Sequence, residues 1–384
     1  MKTRLSFAAA AAALLGTLLL VSCEWLIANA DFTHTTTTTE YVEVTYVAGY
    51  VDNGTHTVAC YWKNGERTDL EPDHASRATG VFVDGDDVYV AGWYDDGVSK
   101  ACYWKNGVKT DLHDVADDYS AAKALCVDGT DVYVAGHRNN GVRNIACRWK
   151  NDAAGLLDLG DTIPGDSTAS AIVVSGTDVY VAGTGDSTGY YWKNLTRTEL
   201  DTPAAATKKS FADDIAVDGE DVYVSGGWGT EDEEPFVHVW TRHASYWKNN
   251  VRVDLAECSY DEDLGEFRNA VAHDLYVING DLYVAGFSPD ELHEDQYDSW
   301  LWHDGSFIKN FGSLFLTDLT LIVGRPIVMN KPFVCGYKEL SDRDSVFWAE
   351  RELFGYRYTS PETVDSQATS IFVVVEEHEV VTKH

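Results

Sequence analysis

Glu231, Asp232, Glu233 and Glu234, followed by His238, Arg242 and His243, gather carboxylates and imidazoles in one short stretch of the chain. Asp290, Glu291, His293, Glu294, Asp295 and Asp298 make a second. Such groups hold hard cations, and calcium, which takes about six to eight oxygens, is the ion they would select. Glu231, Glu234, His238, Glu291 and His293 are the candidate metal ligands. Two of the same acids at a suitable separation would instead serve to cleave a glycosidic bond. Neither chemistry has a diagnostic spacing: there is no Asp-x-Asp-x-Asp-Gly loop and no His-Glu-x-x-His. A solvated acidic surface is the plainer account of both stretches. Ser187 sits between the glycines of Gly185-Asp186-Ser187-Thr188-Gly189, but no base or orienting acid accompanies it at a defined position.

A third set is aromatic and is defined by a repeat. Val-Tyr-Val-Ala-Gly, or a close variant, ends at Gly49, Gly92, Gly136, Gly183, Gly226, Gly286 and Gly336, at intervals of 43 to 60 residues. The positions after these glycines supply Tyr50, Trp93, His137, Trp228, Phe287 and Tyr337 as candidate ligand-binding residues. If each copy is one strand of a repeated unit, these side chains collect at one end of it. An interrupted ring of aromatics there would suit sugars or peptide side chains. The plainer reading is that they cover the ends of apolar layers between units.

The unit that must position them is legible in residues 77–112. Ala78 to Val83 is a β-branched and aromatic run, Asp84-Gly85-Asp86 is a turn, and Asp87 to Trp93 alternates as a strand does. Lys100 to Lys105 is a third strand, Asn106-Gly107 a two-residue hairpin turn, and Val108 to Leu112 a fourth strand. Four antiparallel strands, repeated in series at this period, predict an all-β chain folded as a β-propeller. A parallel solenoid needs longer crossovers than these hairpins provide. The count is seven blades. The first has no recognisable inner strand, and Ala368 to Val374 is an inner strand with no blade after it. The C-terminal strand is therefore expected to complete the N-terminal blade and close the ring.

Trp62, Trp104, Trp149, Trp192 and Trp247, each at the end of a third strand, read as packing between blades. The lysines that follow them read as solvated turn flanks. Cys60, Cys102 and Cys147 share one repeat position and lie too far apart in adjacent blades for a disulfide. With Cys126 and Cys335 they read as small buried hydrophobes. No Cys-x-x-Cys occurs, so neither a zinc site nor a redox pair is indicated.

Charge and the N-terminus bound the function. The chain has 62 acidic against 29 basic residues, a formal net charge of −33. That balance argues against nucleic acid as a partner and against adhesion to anionic lipid. Lys2 and Arg4, an Ala- and Leu-rich stretch and Leu20-Val21-Ser22-Cys23 have the layout of a secretion signal. The segment closely resembles the lipobox signal of bacterial lipoproteins. The resemblance implies that residues 1–22 are a signal peptide and that Cys23 carries the lipid. It also implies a place in the bacterial cell envelope, with Glu24 favouring the outer membrane. Residues 23–40, rich in Thr, are expected to be a tether, and 41–384 the propeller, monomeric and held to the membrane by the anchor alone.

The repeats resemble those of secreted bacterial propellers whose units carry Tyr-Val-Ala-Gly and Tyr-Trp-Lys-Asn-Gly. This covers roughly residues 41–375 and implies a fold and a location but no activity. The leading expectation is a non-catalytic binding or scaffolding lipoprotein engaging an envelope protein or glycan through its long-loop face. Alternatives are a carbohydrate-active hydrolase or lyase using acids and histidines of the long loops, and an accessory propeller in outer-membrane protein assembly.

Overall fold

Alternation of Val and Tyr with small residues produces strands wherever the repeat occurs. The computed structural model describes residues 35–383 apart from 114–118, 204–207, 235–236, 257–258, 262–265, 269, 279, 290–296, 311–313, 322–331, 339–344, 352–353 and 360–365. The signal segment and Cys23 lie outside the described residues, as do Glu291 and His293. The described residues form seven four-stranded sheets and one two-stranded ribbon, Ser259–Asp261 with Glu266–Arg268. The fold is an all-β propeller.

The second blade sets the pattern: Ala75–Asp84, Asp87–Asp95, Ser99–Lys105 and Val108–Asp111 pair in that order, inner to outer. Its last turn uses Asn106 and Gly107 at positive φ (51° and 79°), the conformation a two-residue hairpin demands. The third to seventh blades span 120–158, 167–199, 208–256, 271–310 and 314–359. The first is composite. Glu66–Asp69, Thr57–Lys63 and Thr35–Asp52 are followed in the sheet by Ser366–Lys383. The C-terminal strand is thus the inner strand of the N-terminal blade, as the two sequence defects required.

The chain divides into two units, Glu43–Val375 and a small one made of Met1–Val42 with Glu376–His384. The larger carries the blades. The described residues of the smaller are the start of the strand Thr35–Asp52 and the end of Ser366–Lys383. The Thr-rich run expected to be a tether is therefore strand from Thr35 onward. Thr is polar but β-branched, and extended backbone suits it.

Among the described residues the first six blades stack face to face in sequence order, each neighbouring pair around its own apolar cluster. One such cluster joins Val44, Tyr46 and Ala48 of the first blade to Val81, Val83, Val90 and Trp104 of the second. Trp104, Trp149, Trp192 and Trp247 are at most 1 % exposed, so the recurrent Trp is core. Cys60, Cys102, Cys126 and Cys147 are free and buried. The lysines after Trp do more than flank a turn. Lys105, Lys150, Lys193 and Lys248 each lie 4.9–5.2 Å over Tyr89, Tyr133, Tyr180 and Tyr223. Each also pairs with the aspartate that opens the second strand, at 2.7–2.8 Å.

A repeated polar contact joins the blades. The Oγ atoms of Ser76, Ser120, Ser167 and Ser210, all nearly or fully buried, accept the amide hydrogens of Ala59, Ala101, Ala146 and Gly189, each in the preceding blade, at 2.9 Å. Each serine thereby satisfies a buried N–H that would otherwise have no partner.

Candidate functional site: the channel mouth

Just past each of these serines, and at the matching place in the sixth blade, where Ala270 replaces the serine, the inner strand bulges. The register slips between Ala78 and Gly80, Ala122 and Ala124, Ala169 and Ala171, Ala212 and Asp214, and Ala272 and Asp274. One extra residue is thus inserted in each of these blades, Thr79, Lys123, Ser170, Asp213 and His273, and the seventh blade inserts Thr317 between Leu316 and Asp318 in the same way. The repeated glycine exists because of this kink. A Cβ on Gly92, Gly136, Gly183, Gly226 or Gly286 would lie 2.1–2.3 Å from a carbonyl oxygen of the inner strand.

The residues around the bulges share one end of the ring with the aromatic series. Register sets Arg77 opposite Trp93, Ala121 opposite His137 and Val271 opposite Phe287. At the first three blades, the Arg77 guanidinium lies 4.3 Å over the Tyr50 ring and 5.9 Å from that of Trp93. Lys123 follows on the next inner strand. It is open to water yet walled by protein, and burial first, then the Arg77 charge, lower its pKa. Among the described residues neither cation has a carboxylate at ion-pair distance. His137, beside them, has a pKa pushed down to about 4, by burial first and then by Lys123. Its Nδ1 is buried without a hydrogen-bond partner, and the ring meets Tyr119 edge-on at 5.9 Å.

Around the fourth to sixth blades the same end opens into a cleft of about 560 Å³. Thr184, Lys209, Phe211, Asp213, Arg242, His273 and Phe287 are among its walls. Asp213 and His273, inserted by bulges in adjacent blades, meet at 3.2 Å between Oδ2 and Nδ1. The His273 ring lies 5.3 Å from Phe287, and Arg242 lies 5.3 Å over Phe211. Farther along the same inner strands, Asp214 and buried Asp274 both accept the amide of Leu275, at 3.1 and 2.8 Å.

The sequence candidates divide accordingly. Tyr50, Trp93, His137 and Phe287 stand at the mouth, each partly exposed. Trp228 does not join them. It stacks on His243 at 4.3 Å, donates to Asp254 at 2.8 Å and lies under Arg252, over the outer strands of its blade. It occupies the place of Tyr94 in the second blade, one residue beyond the mouth position, which Gly227 fills. For Tyr337 the structure gives backbone pairing, opposite Phe315 and Ser345. The first acidic stretch, which loop composition would make a long loop, lies in a β-ribbon, Asp221–Glu234 paired with Val237–Lys248. Its register sets Glu231 opposite Trp240 and Glu233 opposite His238. Of the candidate ligands Glu231, Glu234 and His238 the structure gives this backbone pairing alone.

The sequence reading missed Arg77, Lys123, Asp213 and His273. Its signal was available at one remove: Ser-x-Ala precedes Thr79, Lys123, Ser170 and Asp213 alike. The inserted residue varies from blade to blade, with Thr at both 79 and 317, so a search for sameness passes over it. A different group, Asp281, His303 and Asp304, brings donor atoms within 4.8 Å of one another at a hairpin of the sixth blade. There His and Asp stand where other blades have Lys and Asn.

No protein-family description matches the sequence, and no curated protein matches it. Among solved structures the chain is similar to an ulvan lyase from a polysaccharide lyase family, at 11% identity over 76% of this chain and 83% of that one, TM-score 0.45. A putative 6-phosphogluconolactonase from Bacteroides uniformis is similar at 12% identity over 86% and 99%, TM-score 0.44. Extracellular domains 1–2 of Drosophila Semaphorin 1a are similar at 9% identity over 81% and 86%, TM-score 0.42. These three proteins differ from one another, and likenesses this distant transfer no function.

Proposed function

We propose that the chain is a binding propeller of the bacterial cell envelope, anchored through Cys23, whose channel mouth engages a glycan. The observation that carries the reading is the concentration of unlike residues at one end of an otherwise regular ring. Repeats keep Trp, Gly and Ser constant for packing, while the bulge and mouth positions diverge into Arg77, Lys123, Asp213, His273, Trp93 and Phe287. A cleft bounded by aromatic rings with a few polar groups is the usual form of a saccharide or small-ligand site. The anchor and the envelope location rest on the Leu20–Cys23 signal.

Glycan-array binding of the full chain in detergent tests this reading. Retention of a glycan, abolished by Trp93→Ala together with Phe287→Ala, is the expected result. No retention, or retention indifferent to both substitutions, removes it.

One observation favours a catalytic reading beside it. Asp213 holds His273 in the cleft as an orienting acid holds a base, with Lys209 and Arg242 among the walls. The carbohydrate-active alternative would then use residues from the bulges rather than from the long loops. Reducing-end release from glycans that bind, lost in His273→Gln with binding retained, would establish it. Nothing equivalent supports a role in outer-membrane assembly. Among the described residues the large exposed apolar side chains, Val108, Val142, Leu195 and Val251, belong to four different blades.

A further inference from the structure

We propose that the mouth between the first three blades binds a carboxylated sugar, with Arg77 and Lys123 receiving the carboxylate and Trp93 the apolar face of the ring. This rests on the glycan-binding reading and names its ligand class.

The argument begins with where the cations of this chain are spent. In a protein of net charge −33, basic side chains find acids easily. Lys100, Lys105, Lys109, Lys150, Lys193 and Lys248 all have a carboxylate at 2.7–2.8 Å. Arg77 and Lys123 do not, among the described residues, and they neighbour each other instead. Like charges side by side cost free energy, and the local bulge and register hold them there. An anion arriving between them relieves that repulsion, which gives it more from this pair than from any lysine already neutralised.

Aromatic rings narrow the class. The Arg77 guanidinium lies 4.3 Å over the Tyr50 ring, a contact that leaves its N–H groups able to donate. Trp93, on the paired strand, and His137, beside Lys123, flank the two cations. A flat ring next to a guanidinium and an ammonium matches a pyranose carrying a carboxylate: its C–H face stacks and its charged group is held by a fork of donors. His137 is neutral at physiological pH, so it adds no third positive charge to what is already a crowded pair.

The net charge limits ligand size. Screening confines these fields to about 8–10 Å, so a single carboxylated unit at the mouth feels the cations. An extended polyanion would also meet the repulsion of a chain whose net charge is −33. The fit is to a terminal or isolated acidic sugar within a short oligosaccharide.

The test uses methyl glycosides of glucuronate, galacturonate and N-acetylneuraminate, each beside its uncharged methyl ester, titrated into the full chain by calorimetry. At least one acid should bind, its ester about tenfold or more weaker, with affinity falling as salt rises. Arg77→Gln and Lys123→Gln should each weaken the acid by a similar factor of about ten while leaving the ester unaffected. Both variants keep the wild-type melting temperature, which separates lost binding from lost folding. Equal binding of acid and ester, indifference to both substitutions, or no binding of any acid overturns the proposal. If the array retains neutral glycans through Trp93 and Phe287 while the acids are not preferred, glycan binding stands and this inference alone falls. If the array retains nothing, both fall.

Discussion

At the scale of single residues, the repeat makes an internal control of every blade. Lys105, Lys150, Lys193 and Lys248 show what a lysine does when its only task is to clasp a hairpin: it stacks on Tyr and meets Asp. Among the described residues Lys123 has neither partner, and that contrast marks the mouth better than any motif. His137 makes a second test. Burial holds its pKa near 4, below the ordinary 6.5, so the folded chain resists a proton that the unfolded chain accepts. Its contribution is complete above about pH 6.5 and is lost as pH falls toward 4, up to a ceiling of about 3 kcal/mol. Urea unfolding at pH 7 and pH 4.5 should therefore show a smaller acid loss in His137→Gln than in the wild type. An identical loss in both would show that His137 carries no such linkage.

At the scale of elements, two constant residues hold the variable ones in place. Ser120 accepts the buried amide of Ala101 across a blade boundary. Ser120→Ala leaves that amide unsatisfied and should cost about 1–3 kcal/mol, with faster hydrogen exchange at Ala101. Unchanged stability would mean that another acceptor takes over. Gly136 has no room for a side chain, since its Cβ would sit 2.1 Å from the Ala121 oxygen. Gly136→Ala should cost at least about 2 kcal/mol by forcing backbone to move, read as a lowered urea midpoint. The strands themselves were legible because alternation, Asn-Gly turns and β-branching are local. The ribbon from Asp221 to Lys248 was not, because its acidic tip reads as loop composition while Val237, Val239 and Thr241 pair it. The bulges were not legible either. Ser-x-Ala precedes four of them, but a slip of one residue is defined only against a partner strand, so the pattern gains its meaning from the pairing.

At the scale of the molecule, seven sheets and their closure follow from two incomplete ends. The first blade takes its inner strand, Ser366–Lys383, from the far end of the chain. Ending the chain at Asp365 should expose the edge of Thr35–Asp52 and replace one cooperative unfolding transition by early, broad melting with aggregation. A sharp transition at the wild-type temperature would show that closure is dispensable. The mouth candidates were partly legible for the same reason as the blades: Tyr50, Trp93, His137 and Phe287 follow a repeated glycine. Arg77 and Lys123 acquire meaning only when antiparallel pairing brings the start of one strand to the end of another.

Closure also sets an order of events for a growing chain. The first strands to emerge are the last to be completed, because their partner, Ser366–Lys383, is synthesised after all the other blades. Early blades can stack as they appear, but the first sheet must stay open until that strand has been made. Such a chain reports its own progress: only a molecule extended through that strand can hide its first edge, and any shorter one presents that edge to whatever protease it meets.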